Sequence, residues 1–248
     1  MKYILSVFLL LFGFNLYAAP KLDLALCIDS SGSVSSTDFQ LQLNGTASSV
    51  GDPTIVPQDG SVRISVIQFG SSISVEVPPT VITAANAASV ATTIRNIVKG
   101  GGGTNMSGCI NTATTTLTSA APAATRQVID ISTDGQPNSQ ANTNTAAAAA
   151  KAAGIDAINA LLVGSGTNPT FMGNLVFPQP NGGKNGFSIV INSFANYKTE
   201  IARKIKAEVK PPVISSQPIP TLSEWGLIFL VLMLIFASVK SSGISLRR

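Results

Sequence analysis

Between residues 20 and 210, short apolar runs alternate with helix-like segments, and this alternation limits the possible folds more than any other feature. Apolar runs without a polar alternation are typical of strands that are buried on both faces of a parallel sheet. The predicted strands are 22–28, 62–69, 73–77, 127–132, 155–163 and 187–191, and the predicted helices are 39–50, 87–98, 107–117, 143–153 and 194–209. The pattern predicts an α/β domain with a doubly wound, mostly parallel sheet of Rossmann-like type.

The second and third predicted strands are separated only by residues 70–72, Gly-Ser-Ser. A parallel connection needs a much longer crossover, so we expect an antiparallel hairpin at one edge of the sheet. Pro78 and Pro79 are predicted to end the third strand, because proline cannot donate to a sheet ladder.

The last predicted helix is amphipathic, with Ile201, Ile205 and Val209 facing inward. Its lysines are expected to form a solvated face. These are Lys198, Lys204, Lys206 and Lys210. Asp130, inside a predicted strand, is expected to make a structural hydrogen bond.

Both ends of the chain are typical of targeting segments. Residues 1–18 carry a lysine, an apolar run and small residues, as a secretory signal peptide does. Residues 211–220 are proline-rich and predict an extended linker. The apolar stretch that follows predicts a transmembrane helix at about 225–239, with basic residues beyond it. The domain itself is expected at 20–210.

The chain contains no histidine, which excludes most hydrolase triads and histidine-ligated metal sites. Four of the 16 basic residues lie in the tails, against one of the 12 acidic residues, so the body is nearly neutral. Without a clustered basic stripe, no nucleic-acid binding is expected. Ser31 or Ser33 as a nucleophile would lack a histidine base. No lysine base is expected either in their own loop or in the loops that carry Thr104 and Asp134. We therefore predict that the protein is not an enzyme.

Oxygen-bearing side chains follow the predicted strands at one edge of the sheet. Asp29, Ser31 and Ser33 follow the first strand, and Asp134 follows the strand 127–132. Thr104 ends a run of four glycines before a helix and can join them. Ligands of doubly wound sheets bind beyond the carboxyl ends of the strands. Carboxylates and hydroxyls suit Mg²⁺, and also Mn²⁺ or Ca²⁺, which predicts a divalent-cation site.

This constellation closely resembles the von Willebrand factor type A (VWA) domain with its metal-ion-dependent adhesion site, over residues 21 to about 209. The resemblance implies Ser31, Ser33 and Thr104 as direct or water-bridged metal ligands. It implies that Asp29 and Asp134 act largely through water or as supports. An acidic residue on a protein or matrix partner would complete the coordination.

Residues 219–248 resemble the IPTL-CTERM sorting tail, a relative of the PEP-CTERM tails of Gram-negative bacteria. The motif residues are Ile219, Pro220, Thr221, Leu222, Trp225 and Gly226. The resemblance implies membrane insertion through the C-terminal helix until an exosortase-like protease cuts near the motif. It also implies passage through the periplasm and inner membrane to the cell surface or extracellular matrix.

The two cysteines, Cys27 and Cys109, would be neighbours if Asp29 and Thr104 share a metal. Because an exported chain meets an oxidising compartment, a disulfide is favoured, and two buried free thiols are the alternative.

The sequence therefore predicts an exported, surface-sorted adhesion module that binds a partner carboxylate through a divalent metal. The alternatives are an assembly component of the envelope or extracellular matrix with the same fold, and a histidine-free hydrolase.

Overall fold

The structure is a computed structural model that describes residues 19–178 and 186–210. The chain divides into two units, Met1–Pro211 and Pro212–Arg248, and all described residues belong to the first. The predicted signal peptide, linker, transmembrane helix and sorting tail lie outside the described residues. Within residues 19–178 and 186–210, no helix is both long enough and apolar enough to cross a bilayer.

A six-stranded sheet forms the centre of the domain, in the order β3-β2-β1-β4-β5-β6. Its strands are β1 (Leu22–Asp29), β2 (Asp59–Phe69), β3 (Ile73–Thr83), β4 (Gln127–Thr133), β5 (Ala157–Val163) and β6 (Ser188–Ile191). Only β2 and β3 pair antiparallel; every other neighbouring pair is parallel. The predicted mostly parallel sheet with one antiparallel edge hairpin is confirmed.

Helices cover both faces of the sheet. They are α1 (Ser36–Gly51), α2 (Ala87–Arg95), α3 (Met106–Thr118), α4 (Gln140–Ala152), α5 (Pro169–Leu175) and α6 (Tyr197–Val209), the last preceded by a 3₁₀ turn, Phe194–Asn196. One apolar core joins α1, α2 and α6 to the sheet. A second core, which contains both cysteines, lies under α3, α4 and α5. Every residue of β1 and of β5 is buried, which explains why apolar residues predominate on both faces of these strands.

Strand β3 continues through Pro78 and Pro79, so the prediction that the prolines end it is wrong. The pairing of β2 with β3 shifts register at this point, from Val66–Val77 to Ile64–Thr80. The prolines thus occupy an irregularity on an edge strand, where a missing N–H donor is tolerated.

Two helices differ from the prediction. Helix α2 ends at Arg95 and not at residue 98 as predicted, and residues 96–105 form the loop that connects it to α3. Helix α5 is not predicted at all; it has only seven residues, begins with Pro169, and is capped by Asn168, whose Oδ1 accepts from the N–H of Phe171 at 3.0 Å.

The inward face of α6 contains charge as well as apolar side chains. Ile201 and Ile205 are buried as predicted, but Lys204 is fully buried too, so the expected solvated face is wrong at this position. Its Nζ lies 2.5 Å from Asp130 Oδ1 on β4 and 2.8 Å from Glu208 Oε1 on α6. Asp130 therefore makes a buried ion pair. Lys204 is buried because of helical spacing: it lies three residues after Ile201 and four before Glu208, and residues three and four apart share one face of a helix.

Candidate metal centre

Three loops meet at the carboxyl edge of the sheet, and the strand register brings two of them together. Strands β1 and β4 are parallel neighbours, with Ile28 opposite Ser132. Asp29, at the end of β1, and Asp134, just past β4, consequently leave the sheet side by side. The third loop, residues 96–105, leads into α3 and carries Thr104. The structure thus brings the predicted metal ligands to one edge.

Ser31, Ser33 and Asp134 form a polar chain at the surface. Ser31 Oγ lies 3.0 Å from Ser33 Oγ, and Ser33 Oγ donates a hydrogen bond to Asp134 Oδ1 at 2.6 Å. Ser33 is exposed and Asp134 is partly exposed, whereas Ser31 is buried. A ligand arriving from solvent can therefore reach the outer part of this chain.

Asp29 lies beneath the surface and is fully buried. Its Oδ1 accepts from the N–H of Ser31 at 2.7 Å, and its Oδ2 accepts from Thr133 Oγ1 at 2.6 Å. Burial raises the pKa of Asp29, the hydrogen bonds from Ser31 and Thr133 oppose that rise, and the nearby charge of Asp134 adds to it. With both oxygens engaged, Asp29 braces the loop that carries the serines.

Thr104 is locked to the loop that follows Asp134. Its backbone N–H donates to Asn138 Oδ1 at 2.8 Å, and its carbonyl accepts from the N–H of Asn138 at 2.9 Å. A Cβ placed on Gly135 would lie 3.6 Å from Ser33 Oγ and 3.8 Å from Thr104 Oγ1. The two hydroxyls therefore face the same small space beside Gly135, which a side chain there would fill.

This space is bordered by oxygen donors of the kind that hard divalent cations bind. The Ser33 and Thr104 hydroxyls border it, and Ser33 Oγ is in turn within hydrogen-bond distance of Ser31 Oγ and of the Asp134 carboxylate. The residues present fit Mg²⁺ or Mn²⁺, which accept a mixture of protein oxygens and water. In the part of the chain that the structure describes, no group of three or more Cys, Asp or Glu side chains could hold a metal. Any cation bound at this site would therefore depend on the hydroxyls.

The glycine run lets the third loop approach the first. Gly102 has a φ of +83°, a conformation that favours glycine, and its carbonyl accepts from the N–H of Gly32 at 2.8 Å. Lys99, directly before the glycines, donates from Nζ to the carbonyls of Ser30 and Ser31, both at 2.9 Å. The expectation that the three loops lack lysine is therefore wrong.

The predicted disulfide is present and the alternative of two free thiols is wrong. Cys27 and Cys109 are joined over a sequence separation of 82 residues, and both are buried. The bond links β1, two residues before Asp29, to α3, five residues after Thr104. It thus ties together the two elements that carry the first and third loops.

Two family models match the chain. The model for a family described as a protein of unknown function, DUF1194, matches residues 19–213. This chain belongs to the DUF1194 family. The model for the IPTL-CTERM motif matches residues 217–240 of this DUF1194 protein. A search of curated proteins found no match.

The DUF1194 domain has the fold of solved VWA domains. It is similar to proximal thread matrix protein 1 (PTMP1) from the mussel byssus, with 18% identity and a TM-score of 0.64 over 77% of this chain and 49% of that chain. Manganese-loaded TRAP protein from Plasmodium vivax is 22% identical, with a TM-score of 0.59 over 78% and 74% of the two chains. A von Willebrand factor type A protein from Catenulispora acidiphila is 16% identical, with a TM-score of 0.62 over 77% and 43%. The chain spans about half the length of PTMP1.

Sequence reasoning missed two residues that shape this centre, Lys99 and Asn138. Lys99 lies five residues before Thr104 and Asn138 lies four residues after Asp134, and this closeness to predicted ligands was an available signal. Neither belongs to the hard-oxygen pattern, and their roles depend on backbone groups that only the folded chain brings within reach.

Proposed function

We propose that this DUF1194 protein binds one divalent cation through Ser31, Ser33, Thr104 and Asp134, with Asp29 as a support. The cation, Mg²⁺ by preference, would then bind an acidic residue of a protein or matrix partner. The observation that carries the proposal is the convergence of the Ser33 and Thr104 hydroxyls on the space beside Gly135, next to Asp134. TRAP in its manganese-loaded form has the same fold, which supports a divalent cation as the ligand.

A binding role is favoured over catalysis by the surroundings of the two serines. A serine nucleophile needs an adjacent general base, and the chain has no histidine. Lys99 approaches Ser31, but its Nζ donates to two backbone carbonyls. Nζ is thus engaged as a hydrogen-bond donor to the backbone, and neither contact is to a serine hydroxyl. The histidine-free hydrolase therefore has the weaker support.

We further propose that the protein is exported and sorted to the cell surface or the extracellular matrix. The IPTL-CTERM match at residues 217–240 supports a sorting protease of the exosortase type as a processing partner. The Cys27–Cys109 disulfide supports a compartment that is oxidising. An assembly role in the envelope or matrix is the second candidate, favoured by the fold shared with a thread matrix protein.

Calorimetric titration with Mg²⁺ and Mn²⁺ tests the metal site. We expect one site in the wild-type protein and a loss of about tenfold or more in affinity for Thr104→Ala, since a direct or water-bridged ligand is removed. Thr115→Ala, on the exposed face of α3, the helix that follows Thr104, is the matched control and should bind as wild type does. A wild-type protein without divalent binding, or Thr104→Ala with unchanged affinity, contradicts the proposal.

Partner capture with and without EDTA then separates the two candidate functions. Matrix and outer-membrane fractions are passed over the metal-loaded protein, and retained proteins are identified by mass spectrometry. An adhesion module should retain a surface ligand that EDTA releases. An assembly component should retain envelope or matrix components instead.

A further inference from the structure

Lys99 is the half-buried cation beside the candidate metal centre, and its ammonium is directed at backbone oxygens rather than at a carboxylate. Nζ donates to the carbonyl of Ser30 and to the carbonyl of Ser31, each at 2.9 Å. These two carbonyls belong to the turn that presents the Ser31 and Ser33 hydroxyls. Lys99 itself sits 68 residues further along the chain, on the loop that leads to Thr104.

The other polar groups of this turn are held mainly through its N–H groups. The N–H of Ser30 donates to the carbonyl of Phe69 at 2.7 Å, and that of Ser31 donates to Asp29 Oδ1 at 2.7 Å. The N–H of Gly32 donates to the carbonyl of Gly102 at 2.8 Å. Lys99 holds the opposite side of the same peptides. Together these bonds leave the turn little freedom to rotate its serines away from the space beside Gly135.

We propose that Lys99 is a positioning residue of the metal site, which preorganises the Ser31–Ser33 turn through its two carbonyl contacts. This inference rests on the proposed metal-binding function. It names a role for a side chain that cannot itself be a ligand, because an ammonium has donors and no acceptor. Charge-assisted hydrogen bonds are stronger than neutral ones, which suits a clamp between two loops.

If Lys99 acted on the cation only through its charge, removing it would strengthen metal binding, whereas removing a positioning residue would weaken it. A fixed positive charge beside a cation site repels the cation, so a neutral residue at position 99 should tighten metal binding if charge alone mattered. A positioning role requires that metal binding weakens, because the serines lose their fixed orientation. The direction of the change therefore distinguishes the two explanations.

The test is titration of the full chain with Mn²⁺. Binding is measured by calorimetry and, independently, by the electron paramagnetic resonance signal of free Mn²⁺. For Lys99→Met, which keeps the side-chain length but has no donor, we expect Mn²⁺ affinity to fall about 10- to 100-fold, the usual effect of losing an outer-shell support. Lys99→Arg, which keeps the charge and the donors, should recover most of the affinity that Lys99→Met loses. Lys151→Met is the control, since Lys151 is in the last turn of α4, which leads into the amino end of β5, whereas the Ser31 turn follows the carboxyl end of β1.

Each outcome decides the matter. Unchanged or tighter Mn²⁺ binding by Lys99→Met overturns the positioning role and leaves the metal site intact. If Lys99→Met does not fold, Lys99→Gln replaces it, and Mn²⁺ binding by Lys99→Gln as tight as that of Lys99→Arg likewise overturns it. A wild-type protein that binds no Mn²⁺ refutes the proposed function itself, and the positioning role with it.

Discussion

The folded state should lose stability as the pH rises from 6 to 7.5, and Glu208→Gln should remove most of that loss. Glu208 is fully buried on α6, where its Oε1 accepts from Lys204 Nζ and from Asn159 Nδ2, both at 2.8 Å. Asp130 shares the same lysine, so two carboxyl groups face one ammonium. Burial, and then the charge of Asp130, raise the pKa of Glu208 to about 8, although Lys204 opposes the rise.

The sign of the effect follows from proton binding. In the unfolded chain Glu208 ionises near 4.5, so between pH 4.5 and about 8 the folded state holds a proton that the unfolded state has released. Stability is therefore fully present below pH 4.5 and decreases as the pH rises toward 8. A difference of one proton gives a slope of about 1.4 kcal/mol per pH unit, hence roughly 2 kcal/mol between pH 6 and 7.5. The chain has no histidine, so no imidazole titrates in this window.

Urea unfolding at four pH values between 6 and 7.5 measures the slope for wild type and Glu208→Gln. The glutamine keeps the oxygen that accepts from Lys204 and Asn159 but cannot ionise. Asp23 and Asp29 also have raised pKa values, yet they are unchanged in the variant, so the difference between slopes isolates Glu208. Glu200→Gln, at a partly exposed position on α6, should retain the wild-type slope. Parallel slopes for wild type and Glu208→Gln would refute the reasoning.

Three further predictions address the site, the disulfide and the tail. Asp134→Asn should sharply weaken metal-dependent partner binding while the metal-free melting temperature holds or rises, because the charge of Asp134 raises the pKa of buried Asp29; unchanged partner binding by calorimetric titration, or a fall in the metal-free melting temperature by scanning calorimetry, contradicts this. Replacing Cys27 and Cys109 by alanine should cost on the order of 4 kcal/mol in urea unfolding, since the bond closes an 82-residue loop; a loss below about 1 kcal/mol argues against the loop-entropy model. The mature surface protein should lack residues beyond about Trp225, and C-terminal peptides found by mass spectrometry in surface fractions contradict that processing.

Much of the fold could be predicted because strands buried on both faces leave a distinctive sequence pattern. The residues of β1 and β5 do not alternate between apolar and polar. This local sequence pattern alone predicts strands that lie inside a parallel sheet. The β2–β3 hairpin follows from the length of its connection. The continuation of β3 past Pro78 does not, because proline is excluded from a strand only where its missing N–H is needed. That depends on the register with β2, which is a tertiary property.

The buried charge on α6 could not be predicted by residue type, because isolated lysines are almost always exposed. Spacing places Lys204 and Glu208 on the same face as Ile201 and Ile205, which is a usable signal for burial. The compensating carboxylate, Asp130, lies on β4, 74 residues earlier in the chain. A buried lysine is tolerated only when it is paired, so its position becomes intelligible once the sheet and α6 are packed together.

The candidate metal centre shows the same division between what a pattern contains and what folding adds. Its proposed oxygen donors can be selected from the sequence because a hard cation restricts ligand chemistry to a few residue types. Their orientation depends on residues outside that chemistry: Asn138 locks the loop of Thr104, and Lys99 holds the turn of Ser31. The Cys27–Cys109 bond anchors the strand and the helix behind them. Cation affinity in this protein should therefore depend on these supports as well as on the ligands. A relative that keeps all five oxygen donors but lacks the equivalents of Lys99 and Asn138 should consequently bind its cation more weakly than the donor pattern alone suggests.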